Sequence, residues 1–416
     1  NNNGSNWSSS EIELAGSVSS IINGATYPSF YPSVAIYKPS NIVNNELHLV
    51  WSMLIDTNVS ICYSKCINIT SNTNFSKPSS WRNSNNNPGF DTLDLNVNLD
   101  ILDNYGFPSI ALDPWNQPHI AWQNEYIYSS NNYFKINYTT WNNSFGWHRG
   151  NTSAINITPW NGFLYKSPSI DVSNSGLIHI AYANVSTLYR AIEYRQCWTI
   201  SDSLNTAFWG NASKVSGGKD IILSNGTGGN MSEPSLVCDA TGVGRVWVVS
   251  SELTQNNQYN IWYIMEDFED SNYWSMKFLI DSDPIYELKN PNIGFDNAGT
   301  LYCVWEKRFT ASDIQIYLSS NISTSWSQPQ QITNQDKNIY PQIPKNLTGN
   351  NNQFGFIYKD DTNDNIMFHQ IPEFSDISEM LIIILILQLF FVQIKKIKRK
   401  NKFLKQNFSN SGVRTK

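Results

Sequence analysis

Charge is what this chain has least of. Only 15% of its 416 residues are Asp, Glu, Lys or Arg. Nine of the 28 Lys/Arg stand from Lys395 onward with no acidic residue among them, which leaves 19 basic against 34 acidic groups in residues 1–394. That balance argues against nucleic-acid binding, which needs a basic face. Histidine and cysteine are scarce too, at five each. An odd cysteine count excludes a full disulfide framework. Cys197, Cys238 and Cys303 sit inside apolar segments and read as small core residues. Cys62 and Cys66 lie four apart in one strand-like run, as free or buried thiols, as a bridge across a bulge, or as half of a metal site. No Cys or His nearby completes such a site, so no metal is expected. No leader and no initiator Met stand before Asn1, so a mature or shortened form is expected.

What the chain has in plenty is asparagine, about one residue in eight, and aromatics at 13%. Asn and Ser favour turns and weaken helices, so many short strands with polar loops are expected. A short phrase then recurs: Pro, a small polar residue, an aliphatic, a turn, and an apolar run ending in an aromatic. Pro108-Ser109-Ile110 leads to His119-Ile120-Ala121-Trp122, and Pro168-Ser169-Ile170 to His179-Ile180-Ala181-Tyr182. Pro234-Ser235-Leu236 leads to Arg245-Val246-Trp247-Val248, and Pro291-Asn292-Ile293 to Tyr302-Cys303-Val304-Trp305. Weaker copies start at Pro32 and Pro341, and the six prolines are spaced by 76, 60, 66, 57 and 50 residues. A period of this size means an array of similar units.

The copy at Pro291 reads as four strands. Asn292 to Phe295 is the first, with Pro at its opening position, where a missing N–H costs least. Asp296 to Gly299 is a turn, with Asp as local acceptor and Gly at positive φ. Leu301 to Trp305, Asp313 to Tyr317 and Trp326 to Ile332 follow. In the other copies Trp147, Trp209 and Trp274 mark the fourth strand. Four antiparallel strands in about 60 residues make one propeller blade. Apolar residues at both parities fit blades covered on both faces. The expected fold is all-β, a six-bladed β-propeller of four-stranded blades over residues 1–370. The last copy lacks a fourth strand, and the segment from Trp7 to Ile12 is expected to supply it and close the ring.

The phrase Pro-Ser-Ile…His-Ile-Ala-Trp…Ile-x-Tyr…Trp resembles the repeats of sialidase-like propellers of the BNR type, over roughly residues 7–370. That resemblance implies a propeller, and for a catalytic member three arginines on a substrate carboxylate with a Tyr–Glu pair. Residues 1–370 hold only Arg82, Arg149, Arg190, Arg195, Arg245 and Arg308, none in a first-strand segment. Glu193 and Tyr194 are neighbours in a strand and face opposite ways. A binding protein is therefore expected over an enzyme, with a membrane-anchored sialidase-like glycoside hydrolase as the alternative.

His48, His119 and His179 share one repeat position, and each is expected to be a satisfied imidazole bonded to a neighbouring strand. Asp113, Asp239 and Asp296 share another, as turn acceptors, with Ca2+ clamping the sharper alternative and no cofactor expected. Loops between second and third strands hold Tyr126, Tyr128, Tyr133, Tyr189, Arg190, Tyr259, Arg308 and Phe309. Gathered on one face, these make aromatic platforms with few charges, suited to glycans or surface proteins.

Residues 380–394 form a Leu/Ile/Phe/Val run, about 22 Å long as a helix against roughly 30 Å of hydrocarbon. Lys395, Lys396, Lys398, Arg399 and Lys400 follow, which keeps the tail 395–416 cytoplasmic by the positive-inside rule. The expectation is one C-terminal transmembrane helix, a juxtamembrane linker at 371–379, and a large domain outside the cell membrane. Pro372-Glu373-Phe374 before the span resembles the sorting tails of archaeal surface proteins. Fifteen Asn-x-Ser/Thr triplets precede the span, among them Asn58, Asn68, Asn74, Asn137, Asn151, Asn156, Asn184, Asn211, Asn225, Asn230, Asn321 and Asn346. Each is a candidate glycan acceptor on an exposed loop. Together these features predict a surface-anchored glycoprotein of binding, adhesion or coat function.

Overall fold

The computed structural model describes residues 29–371 with interruptions, the longest at 38–45, 68–80, 98–105, 198–220 and 346–353. The chain divides into two units, Asn1–Asn350 with Gly355–His369, and Asn351–Phe354 with Gln370–Lys416. Among the described residues no helix is long and apolar enough to cross a membrane. The predicted span, its basic tail and the Pro372-Glu373-Phe374 motif lie outside them, as does the segment from Trp7 to Ile12.

The first unit is all-β. Its strands form six antiparallel sheets in chain order, five with four or five strands and the last with three. The first strands are Ser29–Tyr37, Ser109–Leu112, Tyr165–Val172, Asn230–Cys238, Glu287–Phe295 and Asn338–Gln342. Each pairs with the strand that follows it, and the first strands of successive sheets pack side by side. Consecutive meandering sheets joined along their first strands make a β-propeller.

Both faces of a sheet are used, as the apolar residues at both parities require. Trp247 and Val249 enter a core shared with Ile293, Cys303 and Trp305 of the fifth sheet. Val246 and Val248 point the other way, into a core shared with Ala181, Ile192 and Tyr194 of the third. Alternation along one strand thus welds three sheets together. Each fully buried side chain of this size contributes about 1.5–3 kcal/mol.

The repeated Pro-Ser phrase has a mechanical meaning. Ser33 Oγ accepts the Ile110 N–H at 3.3 Å, Ser109 Oγ the Ile170 N–H at 3.2 Å, and Ser169 Oγ the Leu236 N–H at 3.0 Å. Ser235 Oγ accepts the Ile293 N–H at 3.3 Å, and Asn292 Oδ1 the Ile343 N–H at 2.8 Å. One polar side chain per repeat therefore fastens the next sheet by its backbone. Further along, the Lys345 amine donates to Ser169 Oγ (3.1 Å) and the Ile170 carbonyl. This contact joins the segment that follows the sixth sheet's first strand to the third sheet. Sheets in a straight row, about 10 Å apart, would put these two far beyond the reach of a lysine.

Two expectations are corrected. The repeat proline does not open the strand in five sheets: Pro32, Pro168, Pro234, Pro291 and Pro341 lie inside their first strands, at a β-bulge. A bulge is the other place where a missing N–H is tolerated. The residue before the proline takes positive φ in five sheets: Phe107 (36°), Ser167 (51°), Glu233 (57°), Asn290 (49°) and Tyr340 (53°). The fourth strand is broken in three sheets, for example into Ser325–Trp326 and Gln330–Gln331. In the third and fourth sheets it is Ile221–Asn225 and Phe278–Asp283, later than the predicted tryptophans. All five cysteines are buried and free, so of the readings open for Cys62 and Cys66 the structure shows buried thiols.

Candidate functional site

Antiparallel pairing puts the start of each first strand at the same end of its sheet as the hairpin joining strands two and three. The predicted binding residues belong to that end, at strand termini more than in loops. Tyr126 and Tyr128 close the strand Pro118–Tyr128, and Tyr133 stands opposite Tyr126 in the next. Arg190 opens Arg190–Cys197 and Tyr259 opens Tyr259–Glu266. Arg308 ends Leu301–Arg308, and Phe309 follows it. Tyr189 lies outside the described residues. Tyr259 pairs with Asp283, which meets Lys307 beside Phe309 at the end of the fifth sheet's second strand. Tyr126, Tyr128, Tyr133 and Arg190 belong to the second and third sheets.

The bulges create a need that shapes this end. A bulged residue leaves the ladder, and its N–H requires another acceptor. Gln123 Oε1 takes the Ser167 N–H at 3.3 Å, Glu233 Oε2 the Asn290 N–H at 2.8 Å, and Glu306 Oε1 the Tyr340 N–H at 2.8 Å. In each case the acceptor comes from the preceding sheet. Glu306 is 0% exposed and also receives Nε and Nη2 of Arg308, at 3.0 and 2.7 Å, and Nδ2 of Asn290. Burial works against the charged Arg308 guanidinium, but Glu306 beside it wins and holds it above its usual range. Burial pushes the Glu233 carboxyl above the ordinary glutamate range, although the Asn290 N–H works against this. Glu287 lies 3.7 Å from Arg308 Nη1 and 3.0 Å from the Lys289 amine.

Beside this network lies an aromatic group. Tyr286 and Phe309 have ring centroids 4.5 Å apart. The Lys307 amine stands over Tyr317, Tyr286 and Phe309 at 5.3, 5.7 and 5.9 Å and meets Asp283 at 2.6 Å. Burial disfavours the Lys307 cation, but the Asp283 carboxylate keeps its pKa raised. Tyr340 is 44% exposed, one residue before the repeat proline. Glu233, Tyr286, Asn290, Glu306, Lys307 and Tyr340 were missed from the sequence. Except for Tyr286, their signal was positional: next to a repeat proline, or just past the terminal aromatic of a second strand.

The remaining candidates are structural. His48, His119 and His179 share a hydrogen bond through Nδ1 with the hydroxyls of Tyr63, Tyr138 and Tyr194, at 2.7, 2.7 and 2.5 Å. Each tyrosine is on the adjacent strand, as expected. Asp113 Oδ1 accepts the N–H groups of Trp115 and Gln117, and Asp296 Oδ1 that of Thr300, with Gly299 at φ 80°. These acceptors serve their own turns, and no group of three His, Cys, Asp or Glu poised for a metal occurs among the described residues. Arg82 lies in the first sheet, Arg190 and Arg195 in the third and Arg308 in the fifth, and Arg245 directly precedes the strand Val246–Leu253 of the fourth. Arg195 is buried with its guanidinium on the Ile157 carbonyl, and Arg82 donates to the Asn86 carbonyl.

Two glycan acceptors are corrected. Asn137 and Asn184 are strand residues 2% and 3% exposed, and Asn184 Nδ2 donates to Glu193. Asn321 is half-buried near the end of Ile314–Ile322. Asn58, Asn156, Asn225 and Asn230 are strand residues. Asn68, Asn74, Asn151, Asn211 and Asn346 lie outside the described residues.

No family model matches the chain, and no curated protein does. Solved structures do. A PL25 ulvan lyase, a polysaccharide lyase, superposes with a TM-score of 0.53 at 7% identity, over 83% of this chain and 85% of the lyase. A Hadza microbial sialidase gives 0.49 at 11% identity, over 83% of this chain and 66% of the sialidase. The Penicillium chrysogenum alpha-L-arabinanase complexed with arabinobiose gives 0.45 at 14% identity, over 66% and 82%. The likeness to the lyase is one of fold.

Proposed function

We propose that this protein is a glycan-binding β-propeller displayed at a cell surface. Its ligand is read at the hairpin end of the fifth and sixth sheets. The observation that carries this reading is what stands at that end: the Tyr286–Phe309 pair beside Lys307, and the Arg308–Glu306–Glu287 network that receives the backbone N–H of exposed Tyr340. A sugar presents an apolar C–H face and a rim of hydroxyls. Aromatic rings cover the first, and a few fixed donors and acceptors orient the second. The ulvan lyase, a polysaccharide lyase, acts on a glycan in a fold of related architecture, which suits this reading.

The six sheets are six blades of one closed ring, with Trp7 to Ile12 as the missing outer strand of the last. Two observations support closure. Trp51, Met53, Cys62 and Trp81 are buried on the face of the first sheet turned away from the second, and Lys345 reaches the third sheet. The propeller occupies residues 1–370, followed by a linker at 371–379, a membrane helix at 380–394 and a cytoplasmic tail at 395–416. Pro372-Glu373-Phe374 serves as a surface-sorting signal of archaeal type, and exposed Asn-x-Ser/Thr sites carry glycans.

Calorimetric titration of the full chain with an oligosaccharide panel tests the function. At least one member is expected to bind, with about tenfold loss for Tyr340→Ala and for Phe309→Ala. A silent panel overturns the reading. Release of new reducing ends would replace a binder with the hydrolase alternative.

A further inference from the structure

Resting on the glycan reading of this site, we infer that its ligands are uncharged sugars, and that sugars bearing carboxylate or sulfate are turned away. The cations of the fifth sheet are already spent. Arg308 gives two N–H bonds to Glu306 and lies 3.7 Å from Glu287. Lys289 meets Glu287 at 3.0 Å, and Lys307 meets Asp283 at 2.6 Å. The Glu306 carboxylate is fully buried, and Arg308 is its only cationic partner among the described residues. An anionic sugar could claim the guanidinium only by stranding that carboxylate, which is among the most costly changes a folded protein can undergo.

The surroundings point the same way. Glu233, Glu287 and Glu306 face this corner from the fourth and fifth sheets, and Asp283 lies beyond Lys307. A like charge brought among them is repelled. A hydroxyl meets no such penalty. It can donate to the outer oxygens of Glu287, about one-third exposed, and accept from the outward N–H groups of Arg308. A site that binds through mutually cancelled charges is built for neutral, hydroxyl-rich chains. The same pairing explains why one arginine here does not make a carboxylate clamp of the kind a sialidase-like site requires.

The test uses the full chain and two ligand sets at low ionic strength. The neutral set is arabino-, xylo-, manno- and cello-hexaose. The acidic set is 3′-sialyllactose, hexagalacturonate and a chondroitin sulfate hexasaccharide. The expected result is binding confined to the neutral set, with every acidic member at least tenfold weaker, and little change in neutral affinity between 50 and 500 mM salt (about 14 to 4 Å of screening length). Glu287→Gln removes one repelling carboxylate and loosens Lys289 and Arg308. It is expected to raise the acidic-to-neutral affinity ratio about fivefold or more. An acidic sugar that binds wild type as tightly as the best neutral one overturns the inference while keeping the glycan reading. An unchanged ratio in Glu287→Gln also overturns it. Silence from both sets removes the glycan reading and the inference together.

Discussion

Replacing Ser169 by alanine isolates one link of the inter-sheet ladder. Its Oγ, 6% exposed as part of the residue, accepts the Leu236 N–H at 3.0 Å and the Lys345 amine at 3.1 Å. Alanine fits the strand and leaves almost no cavity. What changes is that a buried backbone N–H loses its acceptor beside a core that holds Leu236 and Val248. An orphaned buried donor costs about 1–3 kcal/mol. Lys345 keeps the Ile170 carbonyl, so its loss adds only a fraction. The expected change is therefore about 2 kcal/mol. Guanidinium denaturation of the full chain at pH 7 would show it as a lower midpoint at unchanged slope. Ser325→Ala, at an exposed position, is the control. Ser235→Ala, whose bond to the Ile293 N–H is longer at 3.3 Å, should cost about 1 kcal/mol. Ser109→Ala combined with Ser235→Ala should be additive within about 0.5 kcal/mol, because the two links lie at different junctions. If Ser169→Ala melts with the Ser325→Ala control, the ladder is ornament and the meaning given to the repeat phrase fails.

Glu233→Gln should change the pH dependence of stability. The folded state holds the Glu233 proton more tightly than the unfolded chain does. Its contribution is therefore full below the ordinary glutamate pKa and is lost as pH rises through the raised one. The variant keeps an acceptor for the Asn290 N–H, so it should gain on wild type between pH 4 and pH 8, and a gap constant with pH would refute the assignment. Peptide mapping of the surface-expressed chain should find no glycan at Asn137 or Asn184, because a glycan on Asn184 would break its bond to Glu193. Occupancy at either would mean the strand assignment is wrong. Deleting residues 1–15 should leave the propeller open and aggregation-prone, and a truncated chain that melts like the intact one would end the closure model.

The strands were legible because their signals are local. Asp296 to Gly299 announces a turn by residue type alone, and the turn is there, with Gly299 at positive φ. The His48, His119 and His179 partners were legible as a class, since an imidazole repeated in a strand needs a neighbouring hydroxyl. The role of Ser169 was not, because its partner Leu236 stands 67 residues away. Within one repeat Ser169 looks like a turn-former beside a proline. The bulge at Pro291 was hidden for a similar reason. Proline within a strand pattern reads as a start, and only pairing across Lys289/Asn292 reveals the extra residue.

The site was half legible for a reason rooted in the same bulges. Arg308 and Phe309 stand where a sequence pattern expects a hairpin, so they could be nominated. Glu233, Glu306 and Tyr340 could not, because each looks like an edge of the repeat motif. Their positions are set by backbone demand: in the third, fifth and sixth sheets a prolyl bulge expels one N–H, and an acceptor from the preceding sheet meets it. Where that acceptor is Gln123 the result is neutral packing. Where it is a glutamate, a carboxylate is fixed at the hairpin end and draws in a cation, as Glu306 draws Arg308. The polar chemistry at this end is thus a by-product of holding the sheets together. It follows that Glu306 cannot serve as a clean probe of binding. Removing it would release the Tyr340 N–H and strand Arg308 at once. Glu287 and Tyr340 reach solvent without supporting a bulge through their side chains, so changes there separate recognition from folding.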